Sequence, residues 1–173
     1  MNRRRIFVEK KPAFRVEAES LRKEFNENKK LSRETYWDGQ GQPIAVQNGS
    51  YGFAREYNDE RNIVTEIYLD AEGKEASVKA GYSRVERQYD GDGNMVCESY
   101  FLFDARFTRK KGFHSLTREY NENGMVISEN YFNEEDELVN CRDGYATILR
   151  EYDSRNKLIK EEYYDVQGNA VQP

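Results

Sequence analysis

Five basic residues and five glutamates stand in step along this chain: Lys23, Arg55, Arg87, Arg118 and Arg150 precede Glu34, Glu66, Glu98, Glu129 and Glu161 by eleven positions each. A carboxylate beside a cation is the raw material of general acid–base chemistry, which needs one group with a displaced pKa in one cleft. Five equal pairs single out no such group, so the spacing points to a cross-strand charge ladder instead. Asp90-Gly91-Asp92-Gly93-Asn94 opens like a calcium loop, but the glutamate that would close it is missing, Ser99 and Tyr100 standing in that region. His114 is the sole histidine, and Cys97 and Cys141 fall at non-equivalent positions without CxxC spacing. That pattern supports no zinc site, Cys-His dyad or disulfide framework. No GxGxxG, Walker A or nucleophile elbow is present. The expectation is a non-enzyme without cofactor or metal.

The elements that must position these columns are legible from the aromatics around them. Tyr152 has counterparts at Tyr120, Tyr89, Tyr57 and Phe25, and Tyr163 has counterparts at Tyr131, Tyr100, Tyr68 and Tyr36. The period is 32 residues with one step of 31, in the range that signals a repeat architecture. The expected organisation is an N-terminal cap segment, 1–19, followed by a five-copy domain, 20–173, divided as 20–48, 49–80, 81–111, 112–143 and 144–173. Of 173 residues, 37% are hydrophobic and 34% charged, which disfavours a thick layered core, while 13 Tyr, 9 Phe and one Trp compensate. The net charge of −5 with interleaved signs argues against a nucleic-acid partner, and Arg3-Arg4-Arg5 is a short basic cluster of the kind that usually marks a solvated end. No apolar run approaches a membrane span, so no membrane partner and a cytoplasmic location are expected.

Each copy reads as a hairpin. If Arg118 faces Glu129, then Tyr120 faces Ile127, and Asn123-Gly124 is left as a two-residue type I′ turn; the same rule leaves Asp92-Gly93 in the copy before. Alternation places Ala146, Ile148, Arg150 and Tyr152 with Ile159, Glu161 and Tyr163 on the face to be buried, with tyrosine rings stacked along it. Connectors such as Asp38-Gly39-Gln40-Gly41 and Asp165-Val166-Gln167-Gly168 suit turns in which Asp bonds its own backbone. A brief third strand, as at Pro43-Ile44-Ala45-Val46 or Glu137-Leu138-Val139, should follow. The fold class is therefore all-β: an elongated single-layer or solenoid array of antiparallel hairpins. On the opposite face, Trp37, Phe101, Phe132 and Tyr164 form a row. Phe103 and Phe107 belong to the one departing copy, Leu102-Phe103-Asp104-Ala105-Arg106-Phe107. These six aromatics are the candidate binding residues.

Gly144-Tyr145, Arg150-Glu151-Tyr152-Asp153, Glu161, Tyr163-Tyr164-Asp165 and Gly168 together carry a motif that resembles the tandem hairpin repeats of bacterial proteins found beside enzymes of cell-surface polysaccharide synthesis. It is more loosely similar to MORN and choline-binding repeats, although the paired Trp of the latter has no counterpart here. The resemblance implies the architecture; an elongated array of this kind is a surface, so the expectation is a non-catalytic protein-binding or scaffolding module, open to edge-to-edge self-association, with a carbohydrate-binding module of a larger surface protein as the alternative. Residues 5–18, Arg5-Ile6-Phe7-Val8-Glu9-Lys10-Lys11-Pro12-Ala13-Phe14-Arg15-Val16-Glu17-Ala18, resemble the opening of the large single-chain phosphoribosylformylglycinamidine synthase. That would imply an accessory remnant related to a purine-pathway enzyme, and it carries over no catalytic residue. Arg5 to Glu9 read as a strand, whereas Phe14, Ala18, Leu21 and Phe25 have helical spacing that collides with the first copy.

Overall fold

The computed structural model describes residues 6–10, 18–60 and 62–173, and the Arg3-Arg4-Arg5 cluster and Phe14 lie outside them. The described residues are all-β, in antiparallel sheet with no helix among them. The strands are β1 (Ile6–Lys10), β2 (Ser20–Phe25), β3 (Leu31–Trp37), β4 (Gly52–Tyr57), β5 (Ile63–Leu69), β6 (Arg84–Tyr89) and β7 (Met95–Leu102), then β8 (Ala105–Arg106), β9 (Ser115–Tyr120), β10 (Val126–Phe132), β11 (Thr147–Tyr152), β12 (Leu158–Tyr164) and β13 (Ala170–Val171). Neighbours in sequence are neighbours in the sheet, except that β8 pairs only with β7 and β9 follows β7. Residues at Leu21 to Phe25 are strand, so the helical spacing there loses to the hairpin, whose ladder satisfies the backbone.

Two compact units are present, Met1–Val85 and Glu86–Pro173. In the first, Ala18, Leu69, Val78 and Val85 are buried. In the second the buried apolar residues include Tyr100, Phe113, Leu116, Tyr131, Ala146 and Ile148. Alternation on β11 does what the pattern requires, since Ile148 is buried and its neighbour Leu149 is exposed. Ile159, assigned to the same buried face, is instead 61% exposed.

The register anticipated from charge is present: Lys23 faces Glu34, Arg55 faces Glu66, Arg118 faces Glu129 and Arg150 faces Glu161. The turns differ. Tyr120 faces Val126, and a register shift between Val126 and Ser128 marks a bulge. Asn121 N–H donates to Met125 O at 3.0 Å and Gly124 N–H to Asn121 O at 2.9 Å. The tip is thus the three-residue loop Glu122-Asn123-Gly124, not the two-residue turn Asn123-Gly124. Asn121 Oδ1 accepts from the N–H groups of Asn123 and Met125 at 3.0 and 2.9 Å, so the side chain stands in for backbone partners the turn cannot provide. Asp90 and Asp153 do the same at their tips. So do the connector residues Asp38 and Asp165. The left-handed position falls on Gly93 and Gly124 but also on Lys29 (φ 59°) and Asn156 (φ 60°). Lysine carries a steric penalty there that glycine does not. Lys29→Gly should therefore raise the unfolding free energy by about 0.5–1 kcal/mol in urea titration.

The third strand contracts. It survives as single bridges, Trp37 to Pro43, Leu69 to Glu75 and Phe132 to Leu138, and as the two-residue β13. Another three-residue loop follows each bridge, and Gly49, Gly81 and Gly144 take positive φ there. These tight loops leave no length for a ladder.

Candidate functional site

The charged columns form closed triads. Arg Nε donates to Glu Oε2 at 2.6 Å for Arg55–Glu66, Arg118–Glu129 and Arg150–Glu161, and at 2.8 Å for Arg87–Glu98. Lys23 reaches Glu34 only at 4.0 Å, because a lysine has no planar fork to match the carboxylate. The other carboxylate oxygen accepts a tyrosine hydroxyl two residues on, from Tyr68 at 2.9 Å and from Tyr100, Tyr131 and Tyr163. In the second unit the rings run on as a stack: Phe113 to Tyr131 at 4.7 Å, Tyr131 to Tyr145 at 5.8 Å and Tyr145 to Tyr163 at 4.8 Å. Both oxygens of each of these carboxylates are thus taken, one by the cation and one by the phenol, the arrangement of a ladder repeated along the sheet.

The other tyrosine column does a different job. Tyr57 OH donates to Leu31 O at 2.7 Å, Tyr120 OH to Met95 O at 2.7 Å and Tyr152 OH to Val126 O at 3.0 Å. Each hydroxyl thereby ties one hairpin to the backbone of the hairpin before it. Tyr152→Phe should cost about 0.5–1.5 kcal/mol, because it leaves the Val126 carbonyl without that donor while keeping the ring packed. Chemical denaturation of the two proteins side by side measures the difference.

The phenols also set a pH limit. Burial, then the negative field of Glu34, pushes Tyr36 up to about 12. Burial, then Cys141, pushes Tyr145 up to about 12, and burial with Glu129 moves Tyr131 the same way. Neutral phenol is thus favoured in the fold, and an unfolded tyrosine ionises near about 10. Stability from these groups is whole below that pH and lost as pH rises from about 10 through 12. The expected result is a fall in melting temperature across that window, with part of the tyrosinate absorbance appearing late. At the acid end, the hydroxyl of Tyr163 and then Arg150 hold Glu161 below the ordinary carboxylate range. That contribution is present above about 4.3 and disappears as pH falls through the folded value.

The six candidate aromatics fall in different settings. Trp37 is half-buried, donates from Nε1 to Thr35 Oγ1 at 2.9 Å and carries the Arg22 guanidinium 3.3 Å over its ring. Phe101 is half-buried with His114 edge-on at 5.3 Å. Phe132 and Tyr164 are half-buried, and Tyr164 OH donates to Glu162 at 3.2 Å. Phe103 is 50% exposed with φ 55°, a conformation that costs a bulky residue about 1–3 kcal/mol. It sits in the two-residue link between Leu102 and Ala105, which face each other, so Phe101, Phe103 and Phe107 do come to one turn. Sequence reasoning missed what fixes that turn: Thr108 N–H and Oγ1 both donate to Glu134 Oε1 at 2.8 Å, and Arg106 pairs with Asp136 at 2.8 Å. Arg109 lies 4.2 Å over Tyr100 and donates to its hydroxyl at 2.8 Å, beside a cleft of about 220 Å³ that also meets Tyr131 and Tyr145. Nothing in the local sequence announces these contacts, since their partners are 9 to 30 residues away.

The calcium-like stretch is occupied by its own loop: Asp90 accepts from Asp92 and Asn94 backbones and from the Asn94 side chain. Among the described residues no group of three His, Cys, Asp or Glu is placed to hold a metal ion.

Apolar exposure concentrates on the last hairpin. Leu149 is 40%, Leu158 43% and Ile159 61% exposed. In β10 the matching residues Val126 and Ile127 are half-covered, and Glu129 is buried where Glu161 is exposed. Neither protein-family models nor curated proteins give a match to this chain.

Proposed function

We propose that residues 20–173 are five copies of one hairpin unit acting as a non-catalytic protein-binding or scaffolding surface. The carrying observation is the exposure of Leu149, Leu158 and Ile159 among charged residues on the last hairpin, a composition that suits a protein contact. The closed Arg–Glu–Tyr triads support a non-enzymatic role, because they leave no carboxylate poised for proton transfer. A polysaccharide is the second choice, since stacking on sugar needs open ring faces and Arg22 covers that of Trp37. The test is capture from lysate with the parent chain and with Ile159→Lys, alongside a glycan array. A protein retained by the parent and lost by the variant supports the proposal. Glycan binding indifferent to Ile159→Lys, with no protein captured, would replace it with the carbohydrate reading.

A further inference from the structure

The edge of β12 departs from a rule that holds along the rest of the sheet. Each column glutamate whose outer partner is defined faces a large apolar residue of the following strand: Glu34 faces Phe53, Glu98 faces Leu116 and Glu129 faces Ile148. At the other margin β1 reproduces the pairing, with Glu9 in register opposite Leu21. Among the described residues Glu161 has no such partner. β13 pairs only with Tyr163 and Tyr164, so residues 158–162 face no further strand among the described residues. The side chain of Glu161 is 29% exposed against 11% for Glu129.

Three of the strands that cover equivalent edges read Gly52-Phe53-Ala54-Arg55-Glu56-Tyr57, Ser115-Leu116-Thr117-Arg118-Glu119-Tyr120 and Thr147-Ile148-Leu149-Arg150-Glu151-Tyr152, and β6, Arg84-Val85-Glu86-Arg87-Gln88-Tyr89, keeps the apolar, basic and tyrosine positions without a small residue at the first. Each feature has a physical reason. The apolar residue covers the carboxylate, and the tyrosine bonds the carbonyl three residues before the glutamate. The arginine also draws on the neighbouring glutamate, as Arg150 does on Glu129. On β12 the corresponding features are Glu161, the Leu158 carbonyl and the exposed Ile159.

We infer that the outer edge of β12 is a strand-addition site for an extended antiparallel segment of a protein partner, with the pattern large apolar, any, basic, any, tyrosine. This rests on the protein-binding reading above and specifies its chemistry. Backbone ladder bonds supply affinity, and the side-chain pattern supplies selectivity. The second position lies against Lys160, which is paired with Glu151 and Glu162 at 3.2 and 3.0 Å, so an acidic residue there fits better than a basic one. The bulge at Ile159 does not block addition, because β10 bears the same bulge and is covered by β11.

The experiment uses the full chain and an end-capped peptide of residues 144–152 as the probe, followed by calorimetry. Tyr131 N–H bonds Ala146 across the β10–β11 seam, so by alternation Glu129 and Ile148 exchange backbone bonds there while Leu149 faces away. The peptide should bind at one site. N-methylation at its Ile148 should weaken it about tenfold or more, the loss of one seam bond with its buried carbonyl, whereas N-methylation at Leu149 should change affinity by no more than about twofold. Amide exchange at Glu161 should slow on binding. No binding, or equal weakening by both methylations, overturns strand addition. If a captured protein still depends on Ile159 in that case, the protein-binding reading survives and only its mode falls.

Discussion

Glu129→Ala is expected to lower the unfolding free energy by about 3 kcal/mol. Its carboxylate holds Arg118 at 2.6 Å and receives the hydroxyl of Tyr131, which is 7% exposed. Burial opposes the charge on Arg118, and the hydrogen bond and field of Glu129 outweigh it, so that its pKa rises. Removing the carboxylate therefore strands a half-covered cation and a buried phenol together, which costs more than the pair contributes when intact. Glu129→Gln keeps an acceptor but not the charge and should lie between the alanine variant and the parent. The same change at Glu161 provides the internal control: its side chain is 29% exposed, water can replace the lost partners, and the cost should be near that of a surface pair, about 1 kcal/mol or less. Urea unfolding of the three variants decides the matter. Equal losses at positions 129 and 161 would show that cover over the triad has no energetic weight.

Gly52→Ala should be almost as damaging, about 2–4 kcal/mol, although alanine has the better intrinsic preference for ordered structure. Gly52 lies within the sheet, facing Thr35 on one side and Leu69 on the other. A Cβ there would stand 2.3 Å from the Glu34 carbonyl oxygen and 3.1 Å from Thr35 Cα. Both are backbone atoms, so no side-chain rotation relieves the overlap and β3 must move from β4. The matching strand positions in β9 and β11 hold Ser115 and Thr147, so the demand for glycine belongs to this seam alone. Limited proteolysis should open the β3–β4 region first. A variant with unchanged stability and cleavage pattern would mean that the seam relaxes freely.

How much of this was legible in the sequence depends on what fixes each feature. Strand pairing was readable because Arg and Glu recur at a spacing that only a hairpin brings together. The turn was not, and arithmetic explains the failure. Between Arg118 and Glu129, a two-residue turn with unbulged arms and a three-residue loop with one bulged residue consume the same ten residues. Charge spacing cannot separate the two. Asn121 can, because Asx followed three residues later by Gly marks the same Asx-bonded loop at the tips as in the connectors. The buried face was right at Ala146 and Ile148 and wrong at Ile159, since burial there depends on a neighbouring strand and not on alternation. For the candidate aromatics, the sequence located the turn around Phe103 but not Arg109, Thr108 and Glu134, whose contacts arise only once separate loops meet.

The reach of the tyrosine ties has a further consequence for how the chain is made. Hairpin pairs join residues 11 apart, and the tyrosine hydroxyls join residues 25 or 26 apart. Closing loops of that length costs little entropy, and the cost does not grow with the number of hairpins already formed. A hairpin emerging during synthesis needs only its predecessor to complete its bonds, so order can grow in the direction of translation.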